Sequence, residues 1–193
     1  MTEALLFGRP LPEGGTIGVA APASGFENRS EVLRGIEWWE AHGYRVKLGE
    51  HLFARDDYLA GDERDRATDL MALFADPEVD VVQALQGGYG SAQTIPHLDF
   101  EVIAQNPKPF VGYSDITALH AAFTRRSDVV TYHGPTARAV LSPFSRDSLA
   151  CALVNGGDSC GAATDARVLR GGSAHGVLAG GNLALLSALA VAD

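Results

Sequence analysis

Apolar positions along the chain follow two alternating rhythms, and their succession predicts strands and helices in turn. Thr16–Ala20 (TIGVA) is a short apolar run after Pro12 and the Gly14-Gly15 pair, and it predicts a buried strand. An APASG loop follows. Asn28 and Glu31 have the spacing of a capping box, and Ile36 and Trp39 continue one apolar face toward His42, with Gly43 as the stop. Residues 44–48 (YRVKL) alternate as a second strand, and 49–61 are polar and predict a loop. Residues 62–75 (DERDRATDLMALFA) set Ala67, Leu70, Met71 and Phe74 on one helix face. The β-branched run at 79–85 predicts a strand buried on both sides, and QGGYG at 86–90 a glycine-rich turn.

Two short helices divided by Pro96 follow, then a strand at 108–113 (KPFVGY), a helix at 115–123 and a short strand at 129–132. Strand and helix alternate at lengths that suit a mostly parallel sheet with helices on both faces. Beyond about residue 145 the pattern weakens. A helix near 146–154 precedes the polar, glycine-rich stretch 155–163 and a short run at 166–170, and Gly180-Gly181-Asn182 opens a last helix, 183–190. That helix is apolar on most sides, which calls for burial against more protein and predicts a chain shorter than its ancestral form, with a possible homodimer as one way to cover it. The organisation expected is a nucleophile-bearing α/β domain at 1–155, a linker at 156–175 and the beginning of a second domain at 176–193.

The chemistry-bearing candidates fall at strand ends. Ser114 follows an apolar strand and precedes a helix in Gly112-Tyr113-Ser114-Asp115. A sharp strand-to-helix turn of this kind can expose a serine hydroxyl and aim backbone N–H groups at a reacting carbonyl. Ile116 stands where GxSxG requires its second glycine, and the residues taken alone favour the plainer reading, in which Ser114 or Asp115 is merely the N-cap of the helix. Gly87-Gly88-Tyr89-Gly90 lies at the carboxyl end of a strand, where successive N–H groups can hold an oxyanion or where the chain simply turns. It is neither GxGxxG nor a phosphate-binding P-loop. A serine nucleophile needs a base, and six histidines are available. His42 and His51 read as solvated, His97 as part of a linker, and His120 as packed on the far side of its helix. His175 sits between glycines, and His133 is the one placed at a strand end. The acidic group Asp56, Asp57, Asp62, Glu63 and Asp65 lacks EF-hand spacing and suits a helix N-terminus. Trp38 and Trp39 read as one surface and one core residue.

Charge and cysteine content narrow the classes further. A formal net charge of -9 argues against nucleic acid and against anionic membrane surfaces as partners. Cys151 and Cys160 form neither a CxxC unit nor a disulfide framework. With no basic n-region before an apolar run and no stretch of 18 apolar residues, the default address is cytoplasmic.

The segments TIGVAAPAS, YLAGDERDRATDLMALFADPEVD, GGYG, PKPFVGYSDITALH, YHGP and GGNLALL, in this order, closely resemble the LD-carboxypeptidase family, the S66 serine peptidases. The family includes muropeptide-recycling enzymes and immunity peptidases that disarm microcin C. The resemblance implies a Rossmann-like N-terminal domain followed by a smaller β-rich one, here truncated. It implies Ser114 as the catalytic serine, with the Asp115 and Gly88 N–H groups as the oxyanion hole. The activity implied is hydrolysis of an L,D-amide to release a terminal D-amino acid from muropeptides, a small peptide substrate, with no metal or organic cofactor. Two departures stand out. Gln86 replaces the arginine that usually precedes GGYG, and the family's catalytic glutamate and histidine belong to the second domain, beyond GGNL. His133 is not the family's histidine. A catalytically inactive truncated member and a microcin-type immunity peptidase are therefore the competing expectations.

Overall fold

A computed structural model of the chain describes residues 4–156 and 167–190. Five strands form one sheet: β1 (Thr16–Ala20), β2 (Arg45–Leu48), β3 (Val81–Ala84), β4 (Phe110–Gly112) and β5 (Thr131–His133). Their order is β2-β1-β3-β4-β5, and every pairing is parallel. The helices are α1 (Arg29–Ala41), α2 (Glu63–Ala75), α3 (Ser91–Thr94), α4 (Phe100–Gln105), α5 (Thr117–Ser127), α6 (Pro143–Leu153) and α7 (Leu183–Leu189). A 3₁₀ turn, Ile95–His97, carries Pro96 between α3 and α4. The alternation read from the sequence is thus present. The strand order is the flavodoxin-like one, with the topological switch between β1 and β3.

Strand periodicity explains the two-sided burial. Ile17 and Val19 of β1, Val81 of β3 and Val111 of β4 enter one apolar cluster with Val32, Ile36 and Trp39 of α1 and Leu149 and Leu153 of α6. Ala20, Val82, Ala84 and Phe110 enter the other, with Leu70 and Phe74 of α2, Ile103 of α4, and Leu119 and Phe123 of α5. Successive strand residues point to opposite faces, so both faces must be apolar when both are covered. Phe74, Phe110 and Phe123 meet ring to ring, the last two at 4.9 Å between centroids. Edge and tilted contacts of this kind add roughly 0.5–1.5 kcal/mol beyond area burial.

Helix starts follow the sequence signals. The Asn28 side chain accepts from Ser30 N at 3.0 Å, Asp62 from Arg64 N at 2.8 Å, and Asn182 from Ala184 N at 3.1 Å. Glu31, the far end of the anticipated capping box, pairs instead with Arg138 at 3.2 Å. The edge strand β5 is flanked by Leu6, which bridges Val129 in parallel and whose N–H donates to Asp128 O at 2.8 Å. Helix α7 packs on α5 with Leu183 80% exposed, and Asn182 N donates to Thr117 Oγ1 at 2.9 Å. Cys160 and most of the polar stretch at 155–163 lie outside the described residues. Among the described residues, no helix is long and apolar enough to cross a membrane.

Candidate active site

The loops that leave the carboxyl ends of β1, β3 and β4 converge beside the switch point. Ser114 is the first residue of a 3₁₀ turn, Ser114–Ile116, inserted between β4 and α5. Its φ is 65°, one of three positive values among the described non-glycine residues. A left-handed serine is uncommon and costs roughly 1 kcal/mol or more, so the surrounding contacts must hold it there. The cap reading fails here: α5 has Ile116 at its N-cap position and no side-chain cap. Asp115 turns inward instead. It is buried, its carboxylate accepts from Ser91 N at 2.8 Å, and its carbonyl accepts from Ser91 Oγ at 2.6 Å. These bonds tie the Ser114 turn to the start of α3.

Gly87 and Gly88 have different reasons to be glycine. A Cβ on Gly87 would stand 3.0 Å from Ser114 Cβ, 3.0 Å from Tyr113 O and 3.2 Å from Asp115 N. A Cβ on Gly88 would strike Ser24 Oγ, and φ there is 105°. Ser24, from the APASG loop, accepts from Tyr89 N at 3.0 Å through its hydroxyl and donates its N–H to Gly87 O at 3.3 Å. Gln86 Nε2 donates to Ser24 O at 3.0 Å and also to Gly25 O. Among the described residues, the N–H groups of Gly88 and Asp115 have no protein acceptor.

Two arginines that spacing does not reveal organise this corner. Arg66 of α2 is 1% exposed. Its guanidinium donates to Gly61 O at 3.1 Å, Pro22 O at 2.8 Å, Gly90 O at 2.9 Å and Gln93 Oε1 at 2.8 Å. Burial draws it below the ordinary arginine range, while Glu63, Asp62 and Asp115 pull the other way. It stays charged, because guanidinium is effectively always protonated in proteins. Its fork joins the β1 loop to the GGYG turn. Arg138, beyond β5, donates through Nη1 to Gln86 Oε1, so a guanidinium does reach the position that Gln86 leaves without one. A cavity of about 340 Å³ opens here, lined by Gln86, Gly87, Gly88, Tyr113, Ser114, Thr136, Arg138 and Ala139.

The histidine ring bonds run to Trp38 O, Asp69 and Gly112 O, none of them to Ser114. Among the described residues, no side chain hydrogen-bonds Ser114 Oγ. His133 ends β5 with its ring 6.4 Å from that of Tyr113 and 6.1 Å from that of His120. His120 is packed, as its helix position predicts. Its Nε2 lies 2.9 Å from Gly112 O; a carbonyl only accepts, so Nε2 carries the hydrogen and the buried Nδ1 has no partner. Burial lowers its pKa to about 4, against the opposing pull of the Gly112 carbonyl. His51, read as solvated, keeps its side chain 30% exposed but also has a carboxylate partner. Its ring nitrogen meets Asp69 Oδ1 at 2.9 Å, and its backbone N–H donates to the same buried carboxylate at 3.0 Å. Hydrogen bonding to Asp69 raises its pKa. A larger cavity, about 540 Å³, lies against α5 and β5, but its lining is mostly apolar and includes neither Ser114 nor the glycine turn. Among the described residues, no group of three His, Cys, Asp or Glu side chains could hold a metal ion.

Residues 17–134 match the model of the LD-carboxypeptidase N-terminal domain. A probable murein peptide carboxypeptidase of Bacillus subtilis is 40% identical over 127 residues, 66% of this chain and 40% of that protein. A putative carboxypeptidase of Streptomyces coelicolor is 37% identical over 185 residues, 92% of this chain and 59% of that one. Among solved structures, the microcin C7 self-immunity protein MccF bound to aspartyl sulfamoyl adenosine superposes with a TM-score of 0.74 at 27% identity, covering 77% of this chain and 47% of that one. Muramoyltetrapeptide carboxypeptidase from Oxalobacter formigenes gives 0.64 at 28% identity, covering 71% and 47%. The chain thus spans 40–59% of the length of these relatives.

Proposed function

The chain belongs to the LD-carboxypeptidase (S66) family, and from that premise we propose that it carries the nucleophile half of a serine carboxypeptidase site acting on muropeptide-like L,D-peptides. Ser114 Oγ attacks the carbonyl carbon of the amide that precedes the terminal D-residue. The Gly88 and Asp115 N–H groups receive the oxyanion, the C–N bond breaks, and the amine leaves with a proton. Water then clears the acyl-enzyme. The observation that carries this reading is the left-handed Ser114 held close to Gly87, with Ser114 and Gly88 lining one cavity and, among the described residues, no protein acceptor for the Gly88 and Asp115 N–H groups. Preorganised donors of this kind are worth roughly 10²–10³ in rate each.

A serine hydroxyl still needs a proton acceptor, and the described residues bring none to Ser114. This favours a second reading, in which these 193 residues alone bind peptide without appreciable turnover and the base comes from elsewhere. Incubation of the chain with a muropeptide tetrapeptide, following D-alanine release, tests both. Release that vanishes in Ser114→Ala carries the first reading, and release that persists in Ser114→Ala removes Ser114 from its role. Binding without release is the outcome of the second. Similarity to the microcin C7 self-immunity protein makes aspartyl sulfamoyl adenosine the comparison substrate.

A further inference from the structure

A carboxypeptidase must distinguish a peptide that ends at the residue being released from one that continues. The signal is the terminal carboxylate. It lies one residue beyond the scissile carbonyl, and one residue spans about 3.8 Å. Whatever reads that charge must therefore line the same cavity as the nucleophile. Among the described residues lining the cavity beside Ser114, Arg138 is the charged one. We propose that Arg138, held by Gln86, is the carboxylate-recognition residue of this site, with Glu31 as its internal competitor. The proposal rests on the Ser114 reading above.

The placement of Arg138 is built rather than incidental. Its backbone N–H donates to Leu85 O at 3.2 Å, and that of Ala137 to Ala84 O at 3.0 Å, so this segment runs along the carboxyl end of β3. Gln86 follows directly and accepts from Arg138 Nη1, while its own amide is anchored on the Ser24 and Gly25 carbonyls. Next comes Gly87, in contact with the Ser114 turn. Glu31 Oε2 holds Arg138 Nε at 3.2 Å. A guanidinium has five N–H donors, and these contacts occupy two of its three nitrogens. The Nη2 edge remains for a planar anion, and the Arg138 side chain is 39% exposed. Arginine matches a carboxylate in shape as well as charge.

Two ligands that differ only in the terminal group test this: N-acetyl-L-lysyl-D-alanine and its C-terminal amide, titrated into the 193-residue chain by NMR. The acid binds the parent chain roughly tenfold or more tighter than the amide, as for a hydrogen bond between charged groups. Arg138→Gln loses that preference and Arg138→Lys keeps part of it. Glu31→Gln tightens acid binding severalfold and leaves amide binding unchanged; a merely structural ion pair would weaken both ligands in both variants. Equal binding of acid and amide by the parent chain overturns the proposal while leaving the Ser114 reading intact, as does a preference that survives in folded Arg138→Gln. Binding of neither ligand overturns both.

Discussion

Gly87 and Ser114 approach closely across the ends of β3 and β4: a methyl group placed on Gly87 would stand 3.0 Å from Ser114 Cβ, 3.0 Å from Tyr113 O and 3.2 Å from Asp115 N. Backbone cannot move aside as a flexible side-chain end can. Gly87→Ala should therefore destabilise the fold by about 1–3 kcal/mol, the usual range for overpacking. Urea denaturation measures it. Gly171→Ala, where an added Cβ meets nothing within 4 Å, should change stability by no more than about 0.5 kcal/mol. Equal effects at the two positions would remove steric contact as the reason for glycine at 87.

Ser114 sits at φ 65° where glycine is comfortable. Ser114→Gly should raise stability by about 1 kcal/mol, the strain of a left-handed residue, while removing any D-alanine release the chain has. Gain of stability with loss of chemistry marks a residue kept for its hydroxyl. A variant less stable than the parent would show that the Ser114 side chain contributes to folding instead.

Arg66 is fully buried among three carbonyls and the Gln93 amide oxygen. Arg66→Ala strands those acceptors and should cost about 3 kcal/mol or more. Arg66→Lys should recover only part of it, because one ammonium cannot span the β1 loop and the GGYG turn together. Hydrogen exchange at Tyr89 N–H, bonded to Ser24 Oγ, should rise in both variants. Unchanged exchange would confine the role of Arg66 to α2.

His120 and His51 should give opposite pH dependences. His120 titrates near 4 when folded and near 6.5 when unfolded, so between those values the unfolded chain binds the extra proton. Its contribution is complete above pH 6.5 and declines as pH falls through that window, by about 2 kcal/mol from pH 7 to pH 5. His51 is raised by Asp69, so its contribution is complete below 6.5 and is lost as pH rises through the higher folded value. Denaturation at pH 5, 6 and 7 should show a flatter acid limb for His120→Gln and a steeper one for His51→Gln. Parallel profiles in all three proteins would contradict the assignment.

Much of the fold was legible because local rules coincide with tertiary demands. The β1 run TIGVA matches its strand at both ends because Gly14-Gly15 precedes it and Pro22 follows, and because a strand covered on both faces must be apolar throughout. Asn28, Asp62 and Asn182 marked helix starts through bonds that close within three residues. GYSD placed Ser114 at a strand end for the same local reason. Local rules misled where a side chain had a distant partner. Glu31 left its capping box for Arg138, which is far along the chain, and His51, in a polar loop, found Asp69 of α2.

Periodicity and turn chemistry, then, were enough to determine an α/β alternation and a serine at the end of a strand, since both depend on residues a few positions apart. Which strands are neighbours, that Gly87 lies on Ser114, and that Arg66 and Arg138 converge on one corner were decided only in three dimensions. Those relationships join residues 21 to 72 positions apart, from the Phe110–Thr131 pair to Arg66 and Arg138, across a parallel sheet whose partners meet through crossover helices rather than tight turns, and no short-range rule records which partner will arrive.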